Sequence, residues 1–307
     1  MTLRSLHLKH ILLLALGGIT AAVFLGEVLF FLWHSGKVEL PSFIIHSARI
    51  ILANIAPQPT GGVKLDLPFH QQEHSLSCEM ASLKNAFYAY GLDVPEAEII
   101  RALSLDPTPR KNGIWGDPQK GFVGSVDGRA LVDGYGVYAE PIARVGLRWK
   151  RTEVLQQPSV QDLAYHITLG HPIIVWGYLG RGQKVSWTTP EGKSIVAVNA
   201  EHTRLVYGFE GSASDPQGFF LIDPTYGHAY WKRDVFMENW EALDRMAVVV
   251  YPHPRWVRAT GTREIWEISK DGKTRRHVGE EEFMQSGGFP EAVKEILVEE
   301  LDRFEVE

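Results

Sequence analysis

A single cysteine, Cys78, limits how this chain of 307 residues can be held together. One cysteine excludes an intramolecular disulfide and any cysteine-rich metal site. The fold must therefore depend on packed apolar side chains. Hydrophobic residues make up 45% of the chain, which is enough for one substantial core and a smaller one.

Cys78 stands where a turn leads into a predicted helix. Met80, Leu83 and Phe87 follow at helical spacing and the pattern stops at Gly91, so we expect a helix of about three turns that begins at the cysteine. The unpaired amides and the dipole at this helix end favour an anion, which predicts a lowered thiol pKa. A lone cysteine is more often an inert buried side chain, so this interpretation depends on the rest of the chain.

Gln72 lies six residues before Cys78 and carries a side-chain amide that can face the same turn. A thiolate nucleophile and an amide that donates to a developing oxyanion are two parts of an acyl-transfer site. A base and a group that orients the base are still needed.

The charge and the histidine spacing exclude two classes of function. A net charge of −6, with no basic block beyond the short run from Lys273 to Arg276, argues against a nucleic-acid partner. The twelve histidines show no zinc-enzyme spacing on a helical stretch. We therefore expect no metal and no other cofactor.

The N-terminal segment has the pattern of a membrane span. An apolar run from Ile11 to Trp33 is about 23 residues long, enough to cross a bilayer as a helix. Arg4 and Lys9 precede it, which predicts a cytoplasmic N-terminus and an extracytoplasmic remainder. Small residues at 21–22 leave cleavage as a signal peptide open, but the length of the run favours a signal anchor.

The remaining pattern places helices before strands. A helix with a Ser-x-x-Asp start is predicted from Ser159 to Gly170. Strands are predicted at 173–178, 202–209, 218–223 and 246–251. Because tight connections join consecutive strands, we expect an antiparallel sheet segregated from the helices, an α+β fold.

The second and third of these strands supply a base and its partner. If residues 210–217 form the hairpin loop, antiparallel pairing places His202 opposite Asp223 or Pro224, and a bulge would shift this register by one. A carboxylate beside an imidazole fixes its tautomer and stabilises its positive charge. The sequence thus offers a nucleophile, a base, an orienting carboxylate and an amide donor.

These residues occur in motifs that resemble the bacterial C39-like peptidases, within the papain-like cysteine peptidases. The resemblance covers about residues 63–252 in the family's order. It rests on the segments 67–72, 77–83, 115–118, 121–124, 134–138, 170–176, 201–209 and 221–224. It implies Cys78 as nucleophile, His202 as general base, Asp223 as orienting residue and Gln72 as oxyanion-hole donor. It also implies a papain-like fold in which the helix that starts at the cysteine packs on an antiparallel sheet carrying the histidine and the aspartate.

Other histidines compete for the role of base. His228 follows Asp223 closely and is the strongest rival, because loop residues can approach a site. His171, before Pro172 at a strand entry, is interpreted as structural. His70 and His74 flank Gln72 and are interpreted as packing or cleft-lining residues.

The predicted protein is a membrane-anchored, extracytoplasmic cysteine peptidase with a peptide or protein substrate, and nothing in the sequence sets its oligomeric state. Two alternatives stay open: a catalytically silent binding protein on a peptidase fold at the cell surface, and an acyltransferase that uses the same residues. The predicted segments are a cytoplasmic tail (1–10), a transmembrane signal anchor (11–33), a juxtamembrane linker (34–62), a C39-like peptidase domain (63–253) and a C-terminal hairpin-plus-helix module (254–307).

Overall fold

The protein is described by a computed structural model, which covers residues 61–307. The helices in this part of the chain are Cys78–Phe87 (α1), Glu96–Ala102 (α2), Ala139–Gly146 (α3), Val160–Thr168 (α4), Arg233–Glu241 (α5), Glu280–Gln285 (α6) and Val298–Leu301 (α7). The strands are Val63–Lys64 (β1), Leu105–Asp106 (β2), Phe122–Val123 (β3), Thr152–Leu155 (β4), Ile173–Tyr178 (β5), Lys184–Thr188 (β6), Ser194–Val198 (β7), Glu201–Ser212 (β8), Asp215–Asp223 (β9), Gly227–Lys232 (β10), Ala247–Val250 (β11), Trp256–Ala259 (β12), Ile265–Ile268 (β13), Thr274–Val278 (β14), Val293–Ile296 (β15) and Glu305–Val306 (β16).

A seven-stranded sheet forms the centre of the structure. Its strand order is β10-β9-β8-β5-β11-β4, and β1 pairs with the far part of β8. Every pair in this sheet is antiparallel. The long strand β8 therefore lies inside the sheet, where it pairs with β9, β5 and β1.

Helix α1 begins at Cys78, as the apolar spacing predicts, and all ten of its residues are buried. Ser77 precedes it without capping the helix; its hydroxyl instead bonds to the main chain of His74. The helix continues into a short 3₁₀ turn and stops at Gly91, whose φ of +64° suits glycine. The cysteine is therefore held at a helix start by a closed local turn.

Helices cover both faces of the central sheet. One face packs against α1 and α3 and includes Leu205 and Tyr207 of β8. The other face packs against α4 and α5 and includes Val206 and Phe209. Because side chains alternate along a strand, burial on both faces makes the middle of β8, residues 205–209, a continuous apolar run.

The predicted fold class, an α+β papain-like domain, is wrong; the transmembrane helix predicted to precede it lies outside the described residues. The described residues form a mixed α/β fold rich in sheet, in which α3, α4 and α5 alternate with strands and cover both sheet faces. Segregated helices are expected from the sequence because consecutive strands with tight connections leave little room for helices between them. The order of helices and strands along the chain does not show on which face of the sheet a helix packs.

Among residues 61–307, no helix is both long and apolar enough to cross a membrane. The predicted span at 11–33, the tail at 1–10 and nearly all of the linker at 34–62 lie outside the described residues.

A second sheet follows the first, with the order β15-β12-β13-β14-β16. The hairpin predicted within the C-terminal module (254–307) is present as the antiparallel pair β13 and β14, which the turn at Asp271 and Gly272 joins. The single helix predicted after this hairpin does not form: only the short helices α6 and α7 occur there, and β15 and β16 pair in parallel with β12 and β14. Local composition does not reveal such long-range pairing.

Candidate functional site

Cys78 is buried at the first position of α1, with 4% of its surface exposed. Its Sγ donates a hydrogen bond to Oε2 of the neighbouring Glu79 at 3.4 Å. Burial raises the pKa of Cys78 well above its usual value, and the charges of Glu79 and Glu201 raise it further against hydrogen bonding from Thr203. The thiol is therefore neutral in this conformation.

The lowered thiol pKa predicted from the helix start is wrong, and the magnitudes explain why. A helix end stabilises an anion by only ~0.3–1 kcal/mol. Burial away from water shifts a pKa by up to ~3–5 units, and one unit corresponds to ~1.4 kcal/mol. Two adjacent carboxylates act in the same direction as burial, so the helix contribution is outweighed.

Glu79 and Glu201 converge beside the thiol, and with Cys78 they are called the cysteine cluster. The amide of Val137 donates to Glu79 Oε1 at 2.6 Å. Burial raises the pKa of Glu79 to about 7, and it raises the pKa of Glu201 well above its usual value, with the charge of Glu79 as the next cause. Within residues 61–307, the buried Oε1 of Glu201 has no hydrogen-bond partner.

His202 and Asp223 are in contact, as the sequence predicts. His202 Nε2 lies 2.9 Å from Asp223 Oδ1, and both side chains are buried. The strands pair with Leu205 opposite Ile222, and a register shift follows after Val206, so His202 lies diagonal to Asp223 and not directly opposite. The contact is formed because diagonal residues share one face of the sheet.

Arg204 competes with His202 for the same carboxylate, and these two residues with Asp223 are called the histidine cluster. Arg204 Nε donates to Asp223 Oδ2 at 2.8 Å, and its guanidinium lies over the ring of Trp231. Burial works to raise the pKa of Asp223, but the charges of His202 and Arg204 outweigh it and hold that pKa well below its usual range.

The pKa of His202 is lowered, mainly by burial. Asp223 acts against burial through its charge and its hydrogen bond, while the charge of Arg204 adds to the lowering. Because Asp223 is shared with Arg204, it stabilises an imidazolium at His202 less than it would if His202 were its only partner. The expected resting state has a neutral imidazole at His202 and a neutral thiol at Cys78.

The two clusters leave β8 on opposite faces at its start. Thr203 faces α1, where its hydroxyl lies 3.1 Å from that of Ser82. Since successive side chains alternate, Glu201 shares that face while His202 and Arg204 point to the other. Among the contacts of the described residues there is no hydrogen bond between Cys78 and His202; Thr203, next to His202, is the strand residue that interacts with the thiol.

Gln72 does not present a free amide to the thiol. Its Nε2 donates to the main-chain oxygens of His74 at 2.7 Å and Ser75 at 3.2 Å. Its Oε1 accepts a hydrogen bond from the Thr225 hydroxyl at 3.0 Å, and its main-chain amide donates to Pro224 at 2.9 Å. Gln72 therefore ties the turn before Cys78 to the turn after Asp223.

The rival histidines have other partners. His228 Nδ1 lies 2.9 Å from the hydroxyl of Tyr207, and its pKa is lowered by burial and by the charge of Lys64. His171 stacks on Tyr251, and burial lowers its pKa to about 4. Neither has the carboxylate partner that His202 has.

His70 and His74 each pair with a carboxylate away from the thiol. His70 Nε2 lies 2.7 Å from Glu96, and His74 Nδ1 lies 2.7 Å from Asp127. The pKa of His74 is raised by its hydrogen bond to Asp127. Both contacts hold the loop before the helix.

Three residues of the site were missed from the sequence: Glu79, Arg204 and Glu201. Each lies within two residues of a predicted site residue, inside the motifs themselves. Strand alternation alone would have placed Arg204 beside His202. The signal for Glu79 and Glu201 is weaker, because only the tertiary fold brings these two carboxylates together.

Two groups in the described part of the chain place potential metal ligands close together. One is the cysteine cluster, and the other is His70, Glu73 and Glu96; in each, the ligand atoms lie within 4.8 Å of one another. In the second group the Glu96 carboxylate already accepts hydrogen bonds from His70 and from the amide of Glu73.

A separate cleft of about 610 Å³ lies beside α3 and the second sheet. Its charged lining residues are Lys120, Glu140, Arg144, Arg151, Glu153, Arg255 and Lys270. None of the four predicted site residues lines it, and several of its cations are paired, as Arg151 and Lys270 are with Glu153.

Comparisons with known proteins agree on one family. The model of the Peptidase_C39 like family matches residues 64–248. The uncharacterized protein YvpB of Bacillus subtilis (strain 168) is 28% identical over 180 residues, which cover 56% of this chain and 68% of that protein. The crystal structure of a protein described as a C39-like peptidase from Bacillus anthracis superposes with a TM-score of 0.53 at 21% identity, over 62% of this chain and 98% of that one.

Proposed function

Because this chain belongs to the Peptidase_C39 like family, we propose that it is a cysteine-dependent amide hydrolase whose substrate is a peptide or protein. Cys78 is the nucleophile, His202 the general base and Asp223 the residue that orients the base. The observation that carries the proposal is the buried contact of 2.9 Å between His202 Nε2 and Asp223 Oδ1, one residue from the strand residue that interacts with the thiol.

The contact with Asp223 selects the tautomer that a base needs. An ionised carboxylate only accepts hydrogen bonds, so Nε2 carries the proton and the neutral ring keeps a lone pair on Nδ1. Burial keeps His202 neutral and Cys78 protonated. The thiol proton therefore moves to Nδ1 as sulfur attacks the carbonyl carbon, and no thiolate–imidazolium pair precedes the substrate.

The remaining steps follow from the same groups. His202 returns the proton to the leaving amine, which leaves a thioester on Cys78. Water then attacks the thioester, giving a proton to His202, and the acid leaves as the thiol is restored. Gln72 can donate to the oxyanion only by giving up its bonds to His74 and Ser75, and until then it positions the cysteine turn.

A side-chain movement at the start of β8 is part of this proposal. His202 must reach the thiol from the opposite face of the strand, which places Nδ1 within hydrogen-bond reach only in the substrate complex. The start of a strand is a suitable place for such movement because fewer ladder contacts hold it.

The second candidate is a binding protein without turnover. It is favoured by the raised pKa of the Cys78 thiol, which burial and two carboxylates hold in its least nucleophilic form. An acyltransferase uses the same residues as a hydrolase and differs only in the acceptor.

Hydrolysis of a quenched fluorescent peptide library, with a chelator present, tests the proposal. We expect Cys78→Ser to abolish hydrolysis and His202→Gln to lower it ~10²–10⁴-fold, the usual contribution of a general base. The matched control is His228→Gln, which removes the rival base and is expected to leave the rate unchanged. Added hydroxylamine would divert the acyl group to a hydroxamate if an amine acceptor is preferred to water.

Alkylation of the single cysteine with iodoacetamide separates the two candidates. For a hydrolase, the rate with a bound peptide exceeds the rate without it, and His202→Gln removes the difference. A library that yields no hydrolysis, together with alkylation that is equal in the wild type and in His202→Gln, would establish the silent binding protein. The predicted extracytoplasmic location depends on residues before 61 and stays a prediction.

A further inference from the structure

The cysteine cluster contains three groups that become negative on ionisation and no positively charged residue. Two carboxyl groups and a thiol lie with their ligand atoms within 4.8 Å of one another, and the first two members are fully enclosed. Within residues 61–307 neither carboxylate forms an ion pair with a lysine or an arginine, and the buried Oε1 of Glu201 has no hydrogen-bond partner. Buried like charges require either protons or a cation between them.

The positions of the oxygen atoms show that the two side chains converge. A Cβ added to Gly136, whose φ is +147°, would lie 2.6 Å from Glu79 Oε1 and 2.6 Å from Glu201 Oε2. The glycine thus admits both carboxylates to one small space. On the third side, the Cys78 thiol points at Glu79 Oε2 over 3.4 Å.

We propose that Cys78, Glu79 and Glu201 form a site for one zinc ion. A thiolate and two carboxylates are ligands that zinc accepts, with bonds of ~2.3 Å to sulfur and ~2.1 Å to oxygen. A tetrahedral angle between such bonds separates the sulfur and oxygen by ~3.6 Å, close to the 3.4 Å from Cys78 Sγ to Glu79 Oε2. Glu201 supplies the third ligand through a carboxylate oxygen, and water takes the fourth position.

Zinc binding requires deprotonation of the thiol. A Zn–S bond forms as the Cys78 proton leaves to solvent, together with any proton shared by the two carboxyl groups. The ion then supplies the positive charge that the cluster lacks. If Cys78 is also the nucleophile, as the proposed function holds, the bound ion silences the enzyme; that regulatory role rests on the proposed function, whereas the site itself does not.

The other acidic group near the helix is a poorer candidate. Glu96 already accepts hydrogen bonds from His70 and from the amide of Glu73, so its oxygens are satisfied without an ion. This group supplies a matched control, because Glu73 is exposed and its replacement by glutamine leaves the cysteine cluster intact.

Cobalt(II) titration of the full chain, freed of metal with a chelator, tests the site. We expect one ion per chain with a thiolate-to-cobalt charge-transfer band, displaced by zinc. Cys78→Ser abolishes the band, Glu201→Gln weakens binding at least ~10-fold, and Glu73→Gln leaves it unchanged. Thermal unfolding of each variant without metal checks that the fold is kept.

Several results would overturn the proposal. Binding weakened by Glu73→Gln and not by Glu201→Gln would assign the ion to the other group, and the absence of a charge-transfer band would exclude the thiol as ligand. Zinc should also slow iodoacetamide labelling of Cys78 at least ~10-fold, reversed by chelator. Labelling and spectra do not depend on turnover, so the zinc site and the amide hydrolase can each fail independently.

Discussion

The cysteine cluster and the histidine cluster lie on opposite faces of β8, and they balance charge in different ways. In the histidine cluster the carboxylate has two side-chain partners, at 2.8 and 2.9 Å, one of them a permanent cation, and it also accepts hydrogen bonds from the amides of Thr225 and Tyr226. In the cysteine cluster two carboxylates meet a thiol. Within residues 61–307 no lysine or arginine forms a salt bridge with them, and the charge of Arg204 lowers the pKa of Glu201 less than burial and the charge of Glu79 raise it. One cluster is complete within the fold, and the other takes its missing positive charge from protons or from a bound ion.

This difference separates structural from adjustable parts of the site. A satisfied buried network is rigid, and removing one member leaves another charge without compensation. A cluster of like charges changes its protonation with its surroundings and so responds to pH, ions and substrate. The carboxylate of Asp223 is therefore fixed by its partners, whereas the protonation of the groups around the nucleophile can change.

The largest effect is expected from breaking the histidine cluster. Asp223→Asn removes the buried negative charge that lies against both His202 and Arg204, and we expect the free energy of unfolding to fall by ~3–5 kcal/mol. Urea denaturation at neutral pH measures it. The control is Asp215→Asn, which removes an exposed ion pair with Arg233 and should cost at most ~1 kcal/mol. Equal losses in both variants would mean that the buried network is no more constrained than a surface pair.

The second effect is a pH dependence with opposite signs in the two clusters. The pKa of Glu79 is raised to about 7 by burial, so the folded state binds more protons than the unfolded state near neutral pH. Stability should fall by ~2–3 kcal/mol as the pH rises from about 5 to about 8, and Glu201→Gln should flatten this slope. Urea midpoints measured across this range, with a chelator present, give the slope.

The histidine cluster should lose stability as the pH falls. The pKa of His202 is lowered by burial, so its contribution is lost as the pH falls below the unfolded pKa of 6.5. The pKa of Asp223 is lowered by His202 and Arg204 against burial, so its contribution is complete above the unfolded pKa of 3.8 and is lost as the pH falls below it. Asp223→Asn should remove part of the acid destabilisation without changing the slope near pH 7. A neutral slope that follows Asp223 instead of Glu201 would reverse the assignment of the two clusters.

A smaller effect is expected at the glycine that admits both carboxylates. In Gly136→Ala the new methyl meets oxygens of Glu79 and Glu201 at 2.6 Å, at a φ of +147° that favours glycine. We expect a loss of ~2 kcal/mol in the free energy of unfolding. Gly279→Ala, at φ −69° with open space around the new methyl, should stay within ~0.5 kcal/mol. If Gly136→Ala is neutral, the carboxylates are free to move apart.

The comparison also shows what local pattern can and cannot predict. Helix α1 and the contact of His202 with Asp223 follow from apolar spacing and from the pairing of two neighbouring strands. Both depend on residues close together in sequence or joined by a tight hairpin, where alternation and spacing act directly. The bulge after Val206 moved the register but kept the two side chains on one face.

The properties of the thiol could not be predicted in the same way. Its pKa depends on burial beneath the sheet and on Glu201, which is 123 positions away in a chain of 307 residues. The helix dipole is the only electrostatic effect that the local sequence reveals, and it predicts a lowered pKa for Cys78, whereas the pKa is raised. The fold class failed for a related reason, because the face on which a helix packs is decided by the whole sheet and not by the order of elements.

The smallest effect concerns the contact that joins the two clusters. The hydroxyls of Ser82 and Thr203 lie 3.1 Å apart in the core, between the cysteine helix and the strand that carries His202. A double-mutant cycle of Ser82→Ala and Thr203→Val, followed by urea denaturation, should give a coupling energy of ~1 kcal/mol. If the contact also transmits position, the double variant should alter the alkylation rate of Cys78 while leaving the acid limb of the stability curve, which reports Asp223, unchanged. A coupling energy near zero would mean that the two faces of β8 act independently, and that the approach of His202 to the thiol is set by the strand backbone alone.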